Sequence, residues 1–273
     1  MLFVITVLQY LIPLFYITTT WRYSREFFDN DSRSGKLKTM YLGVTLLLHF
    51  AFFILRTAEL QHIPVTSPLE LLGVLGFTLS GAYIFTEIIS RVKNTGFFVL
   101  AISSFLITLS SLFSPSHYGL NDILQSELLA FHIVSALLGY SAFALSAIYG
   151  LLYVILYKKI RTRTFDNIYR NLPNLESLES LTFKAIIVGF VALTLVITIG
   201  FVWLPQAFPE ISYTDAKVLG TFFIWLLYGI GLAAKKFVGF QGRRIAILSI
   251  VGFLVTFLSM ALSNVISGFH KFY

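Results

Sequence analysis

The chain has 273 residues, of which 57% are hydrophobic and 12% are charged, and its formal net charge is +7. A soluble domain has about 25% charged residues, so this composition excludes an ordinary water-soluble fold. Cysteine is absent from the sequence. Its absence excludes disulfides, thiolate metal sites and thiol catalysis.

Long apolar segments follow one another along the whole chain, and each has close to the ~20 residues that cross ~30 Å of hydrocarbon. They lie near residues 2–20, 40–58, 69–89, 97–113, 128–157, 183–203, 218–234 and 245–266. Helices are predicted because an unpaired backbone is too costly in lipid, and because the segments do not alternate as barrel strands do. The first segment lacks a basic start and a cleavage site, so it is interpreted as a retained helix. The sequence therefore predicts an all-α, polytopic integral membrane protein of about eight transmembrane helices.

The distribution of positive charge predicts the orientation. All but three of the 20 Lys and Arg residues fall on one side of the predicted helices, and such an excess marks the cytoplasmic side. Both the N-terminus and the C-terminus are then outside. The basic balance is a topology signal, so the lipid bilayer is a predicted partner and nucleic acid is not. The three exceptions are Arg56, Lys217 and Lys271.

No flexible linker and no repeat divides the chain, which predicts a single membrane domain over residues 1–273. The longest inner loop covers residues 158–181 and contains the stretch Leu-Glu-Ser-Leu-Glu at 175–179. This stretch is expected to form a short surface helix that leads into the sixth span.

The histidines are concentrated at one side of the membrane. His62, His117, His132 and His270 fall at outer helix ends or in outer loops, whereas His49 falls near the middle of the second span. Ionisable groups inside a membrane segment usually face the protein interior and often mark a site. A loop role is expected for His117. His49 fits either an interhelical hydrogen bond or a second ligand site.

Two of these histidines lie at the outer ends of stripes of small side chains. Such stripes allow helices to approach closely. Spacings of three and four residues put each stripe on one helix face. The first runs from His132 through Ser135, Gly139, Ala142 and Ser146, and the second through Ser259, Ser263 and Ser267 to His270. Two neutral imidazoles at the same depth could fill both axial positions of a haem iron. The alternative is that each ring is an interfacial residue that bonds to water or to a carbonyl group.

The three exceptional cations fit the same picture. Arg56 precedes His62, Lys217 follows Asp215, and Lys271 is next to His270. Basic groups at these positions could neutralise the two propionates of a haem. Snorkelling to lipid phosphate is the alternative for each of them.

Three segments resemble the cytochrome c assembly family, which handles haem for attachment on the outer side of bacterial and chloroplast membranes. The first is His-Ile-Pro-Val-Thr-Ser-Pro-Leu-Glu at 62–70, and the second is Leu-Ala-Phe-His at 129–132 followed by Gly-Tyr-Ser-Ala at 139–142. The third begins with Asp-Ala-Lys at 215–217 and continues through Trp225, Gln-Gly at 241–242 and Asn264 to Gly268 and His270. Together they cover most of the chain beyond the first helix.

The resemblance implies that His132 and His270 are the outer ligands of a non-covalently bound b-type haem. Asp215, Lys217, Lys271, Arg56 and His62 would surround it. Implied partners are a second membrane subunit and apocytochrome c, and the implied location is the bacterial cytoplasmic (inner) membrane. The family's tryptophan-rich loop is reduced here to Trp203, Tyr213 and Asp215, and Ala233 stands where a histidine is expected. In these departures the chain is similar to the HemX-type branch.

Two functions from different classes follow. The first is a membrane protein of cytochrome c biogenesis that binds or presents haem at the outer face; it is no enzyme alone but a component of a haem-attachment complex. The second is a HemX-type accessory or regulator of tetrapyrrole biosynthesis that acts through its cytoplasmic loops. A secondary transporter has less support, because the sequence has no broken helix and no inverted repeat.

Overall fold

The computed structural model describes residues 2–29, 32–60, 63–65, 67–114, 127–207 and 215–266, with the backbone alone at 32–36, 127, 203–207 and 260–266. These residues contain helices and no strand. The helices are α1 (Leu2–Asp29), α2 (Ser32–Leu60), α3 (Pro68–Ser90), α4 (Gly96–Phe113), α5 (Glu127–Arg161), α6 (Asn167–Asn171), α7 (Leu175–Ala207), α8 (Ala216–Ala233), which continues into a π-helical turn (Ala234–Val238), and α9 (Arg243–Ile266).

Seven helices in this described part are long and apolar enough to cross a membrane: α1 to α5, α7 and α8. The eighth predicted segment is also helical, since α9 has 24 residues. The all-α, polytopic membrane fold is thereby confirmed. The count of eight spans and the outside position of both termini stay predictions.

Contacts divide the chain into two compact units, unit 1 (Met1–Leu120 and Lys159–Pro173) and unit 2 (Asn121–Lys158 and Asn174–Tyr273). Unit 1 contains α1 to α4 and the short α6. Its helices approach closely at small residues; a Cβ atom on Gly76 of α3 would lie 3.0 Å from the Ser103 carbonyl oxygen of α4. Because lipid is as apolar as the side chains, such close packing stabilises the bundle more than burial from water does.

Unit 2 contains most of α5 together with α7, α8 and α9, and its core is aromatic and aliphatic. Phe143 of α5 stacks on Tyr228 of α8 with ring centroids 3.8 Å apart. Ile186 and Leu193 of α7 pack into the same cluster. The contacts divide the chain into two units. This division does not test the prediction of a single domain over residues 1–273, which stays a prediction.

The inner loop differs from its prediction in one respect. Residues 175–179 form no separate surface helix, because α7 begins at Leu175 and continues without a break to Ala207. The Asn174 side chain starts this helix by accepting a hydrogen bond from the Ser177 amide at 2.8 Å. The short helix of the loop is instead α6, whose N-cap is Asp166. A hydrogen bond from Lys159 holds the pKa of Asp166 below its usual range.

Gly81 offers a test of how well unit 1 is packed. It lies inside α3, and a Cβ atom there would meet no other atom within 4 Å. Gly81→Ala should therefore stabilise the protein by about 0.5–1 kcal/mol, the usual cost of a glycine inside a helix. Gly76→Ala, on the same helix, should destabilise it. Reversible unfolding in mixed micelles measures both, and equal effects of the two variants would contradict this packing.

Candidate functional site

His132 lies near the start of α5 and packs against α7. A Cβ atom on Gly200 of α7 would lie 3.2 Å from Cε1 and 3.6 Å from Nδ1 of the imidazole. The Val196 carbonyl is directed toward the ring, but the buried Nδ1 has no well-aligned hydrogen bond to any described residue. The imidazole is thus held by a neighbouring helix, and its Nδ1 has no well-aligned partner among the residues that the structure describes.

The small-residue stripe that continues from His132 faces the interior of unit 2. At Gly139 an added Cβ would lie 3.6 Å from the Gly189 carbonyl oxygen of α7. Ala142 and Ser146 are buried further along the same face. The stripe therefore sets the distance between α5 and α7.

Asp215 and Lys217 lie at the start of α8. Asp215 is the N-cap of that helix, and its carboxylate accepts a hydrogen bond from the Lys217 amide at 2.8 Å. The Lys217 ammonium is near enough to His132 for the two groups to interact electrostatically. The structure thus brings together three of the predicted site residues in unit 2.

Ser259, the one residue of the second stripe whose side chain the structure describes, also faces a neighbouring helix. A Cβ atom on Gly220 of α8 would lie 2.4 Å from the Ser259 hydroxyl oxygen of α9. Contacts of Gly220 with Ser259 and of Gly231 with Leu248 show that α8 and α9 are antiparallel. The end of α9 and the start of α8 therefore lie at one end of unit 2. His270 and Lys271 follow α9 but fall outside the described residues, so their part in the site stays a prediction.

The remaining predicted site residues belong to unit 1. Arg56, at the end of α2, is buried and forms an ion pair with Glu70 of α3 at 2.9 Å. The sequence did not indicate Glu70 as the partner of Arg56, because 14 positions separate the two residues and they lie on different helices. His62 and His117 fall outside the described residues. A contribution of Arg56 or His62 to a haem site stays a prediction.

His49 is buried in the middle of α2 and makes an interhelical hydrogen bond. Its Nδ1 lies 3.2 Å from the Tyr16 hydroxyl of α1. Phe53 stacks on the imidazole with centroids 4.5 Å apart, and Phe77 of α3 meets it edge-on. His49 was predicted to form either an interhelical hydrogen bond or a second ligand site, and this geometry favours the hydrogen bond.

A cavity in unit 1 runs along this residue. It leaves about 40 Å³ for water-sized molecules, which is room for roughly three waters and not for a porphyrin. Polar groups from all four long helices line it, namely Gln9, His49, Arg56, Glu70, Ser110 and Ser111.

The residues of unit 2 fit a haem better. Iron takes a neutral imidazole as its axial ligand, and an ammonium suits the charge of a propionate. His132 and Lys217 supply these two groups, and they are near enough to interact electrostatically. Trp225 is no candidate for holding a ligand, because its Nε1 donates to the Thr194 hydroxyl at 2.9 Å and its ring stacks on Phe190.

Fold and site together define a polytopic helical membrane protein with an imidazole and an ammonium at one end of a bundle. Residues 68–270 match the family described as "Cytochrome C assembly protein". Because the match covers most of the chain, the chain belongs to the cytochrome c assembly family.

Curated relatives agree with this membership. "Protein HemX" of Bacillus subtilis (strain 168) is 28% identical over 256 residues, which cover 92% of this chain and 91% of that protein. "Cytochrome c biogenesis protein CcsA" of Chlamydomonas reinhardtii is 26% identical over 253 residues, covering 88% of this chain and 69% of the relative. The CcsA of Prochlorococcus marinus (strain MIT 9312) is 27% identical over 81% of this chain and 78% of its own length. Family and relatives support a role in cytochrome c biogenesis.

Proposed function

We propose that the chain binds haem non-covalently at the outer face of a bacterial cytoplasmic membrane and presents it for attachment to apocytochrome c. The observation that carries this proposal is that the Lys217 ammonium lies near enough to His132 to interact with it electrostatically, at the end of unit 2 toward which α9 runs. Membership of the cytochrome c assembly family supports a role in cytochrome c biogenesis. A second membrane subunit of the assembly system is the expected partner.

Each residue has a distinct part in this proposal. His132 and His270 supply imidazoles from two different helices, and Lys217 and Lys271 supply positive charge for the carboxylates. Asp215 positions Lys217 by capping α8. Bound haem would supply the vinyl groups to which thiols add. Those thiols belong to the apocytochrome, because this chain has no cysteine.

Visible spectroscopy of the purified, detergent-solubilised chain tests the proposal. We expect a reduced spectrum typical of bis-imidazole haem in the wild type. His132→Ala and His270→Ala should each lower the haem content at least tenfold, because one remaining imidazole cannot fill both axial positions. His117→Ala is the matched histidine control and should keep the spectrum. Haem that persists in both ligand variants would contradict the proposed site.

A second candidate is a membrane accessory of tetrapyrrole biosynthesis that holds no haem. The relatives called Protein HemX favour it, since the Bacillus subtilis protein is similar over nearly the whole chain. The inner segment at residues 158–181, which contains the end of α5, α6 and the start of α7, would then be the contact surface. A colourless preparation that co-purifies with a soluble enzyme of tetrapyrrole synthesis would favour this candidate over the first.

A further inference from the structure

Buried ionisable side chains are distributed unequally between the two units. Among the described residues, the buried lysine, arginine, histidine and glutamate side chains are Lys38, His49, Arg56, Glu70 and Glu87, and all five belong to unit 1. The described buried side chains of unit 2 that have a polar group are serines, threonines and tyrosines. Ionisable groups inside a membrane are costly and typically mark ion pathways or proton relays. Unit 1 therefore has buried ionisable groups in its interior, of the kind that can form such a pathway.

One end of this interior is the cavity beside Arg56. The ion pair of Arg56 with Glu70 has no net charge, so it does not repel a proton. Gln9 is fixed in the wall by donating its side-chain amide to the Ser111 carbonyl at 3.0 Å. With room for about three waters, the cavity can hold a short hydrogen-bonded chain that ends at His49.

The middle of unit 1 continues this chain through side chains. His49 is linked to Tyr16 at 3.2 Å, and Thr19 is linked to Thr45 at 3.0 Å between the same two helices. Thr19 lies three residues after Tyr16, and Thr45 lies four residues before His49. Each step is thus about one helical turn, or ~5–6 Å between Cβ atoms, and a relay along these pairs requires one bridging water in each gap.

The other end is a buried cluster of charges around Lys38. Tyr23, one turn beyond Thr19, donates its hydroxyl to Glu87 at 2.7 Å. Lys38 forms ion pairs with Glu87, at 3.1 Å, and with Glu26. One ammonium against two carboxylates leaves a net negative charge, which attracts a proton.

We infer that unit 1 is a proton relay that joins its two ends through His49 and Tyr16. The imidazole accepts a proton on one ring nitrogen and releases one from the other, so no bond other than N–H and O–H changes and no electron is transferred. The electrochemical gradient drives the movement. The groups that face His49 are Tyr16 from α1, Phe77 from α3, and Arg56 and Glu70 across the cavity.

The relay is independent of the family match. Most of its residues lie on α1 and α2, whereas the match begins at residue 68. It is also independent of the proposed haem site, whose described residues His132, Asp215 and Lys217 belong to unit 2.

Proton flux into liposomes tests the inference. The full chain is reconstituted with a pH-sensitive dye inside the vesicles, and a potassium gradient with valinomycin sets the membrane potential. Wild-type vesicles should acidify faster than protein-free vesicles. His49→Phe and Tyr16→Phe should lower the flux at least tenfold. Thr18→Val is the matched control, because Thr18 is exposed on α1 and donates only to carbonyls of its own helix.

Tyr16→Phe keeps the test decisive if His49→Phe fails to fold, since it removes one hydroxyl group and keeps the ring. Gel filtration and helical circular dichroism establish that a variant is folded. Wild-type flux equal to that of protein-free vesicles would overturn the inference. So would a folded Tyr16→Phe variant with wild-type flux. The visible spectrum of the same preparations should not change, so the relay and the haem site can fail separately.

Discussion

Replacement of Lys38 by methionine should destabilise the protein by about 3–5 kcal/mol, the usual cost of removing one partner from a buried ion pair. The Lys38 side chain is 1% exposed and contacts the carboxylates of Glu26 and Glu87. Methionine fills a similar volume, but it leaves the buried carboxylate of Glu87 and the partly exposed carboxylate of Glu26 without this counter-charge. Reversible unfolding in mixed micelles measures this loss of stability, which should lower the denaturant concentration at the midpoint of unfolding.

A matched control distinguishes the loss of a buried ion pair from the loss of a partly exposed one. Lys235 also forms an ion pair, with Glu179 at 2.9 Å, but its side chain is 25% exposed. Lys235→Met should therefore cost less than about 1 kcal/mol. Adding Glu87→Gln to Lys38→Met should recover part of the lost stability, because one uncompensated charge is removed. Equal losses in Lys38→Met and Lys235→Met would contradict the buried cluster.

The same residue shows what the sequence could not reveal. Hydropathy predicted every long helix, because the length and composition of an apolar segment are local properties. The distribution of positive charge placed Lys38 in a loop on the cytoplasmic side. In the structure Lys38 lies on α2 and pairs with Glu87, 49 positions away in the chain. A pairing at that distance depends on how helices pack, which no local pattern records.

Helix α7 illustrates a second limit. Glu176, Ser177 and Glu179 are too polar for a hydropathy criterion, although they continue the helix of the sixth span. Glutamate has a high helix propensity, so the backbone hydrogen bonds of the helix extend through these polar residues. Boundaries were therefore less predictable than the existence of the helices.

Part of the candidate site could be predicted from the sequence. Small residues at three- and four-residue spacing indicated the buried face of α5, and Gly139 does contact α7 there. The partners of the predicted polar residues differ in how predictable they were. Asp215 caps α8 through the amide two residues further on, a local contact that a sequence pattern can indicate. Arg56 is paired with Glu70 of another helix, and only the tertiary structure identifies that contact.

Gly150 on α5 is one of the described glycines of unit 2 that leave no room for a side chain. A Cβ atom there would lie 2.2 Å from the Ser249 hydroxyl oxygen and 2.8 Å from the Ala246 carbonyl oxygen of α9. The hydroxyl can rotate away, but the carbonyl belongs to the helix backbone. Any side chain at Gly150 must therefore push α5 and α9 apart.

Gly150→Ala should accordingly destabilise the protein by about 1–3 kcal/mol, the usual cost of overpacking. Gly139→Ala on the same helix is the matched control, because its added Cβ would lie at an ordinary 3.6 Å from α7; it should change stability by less than about 1 kcal/mol. Adding Ser249→Gly to Gly150→Ala should restore only part of the loss, since the Ala246 carbonyl stays in the way. Full restoration would mean that α5 and α9 are held apart by side chains and not by direct approach of their backbones.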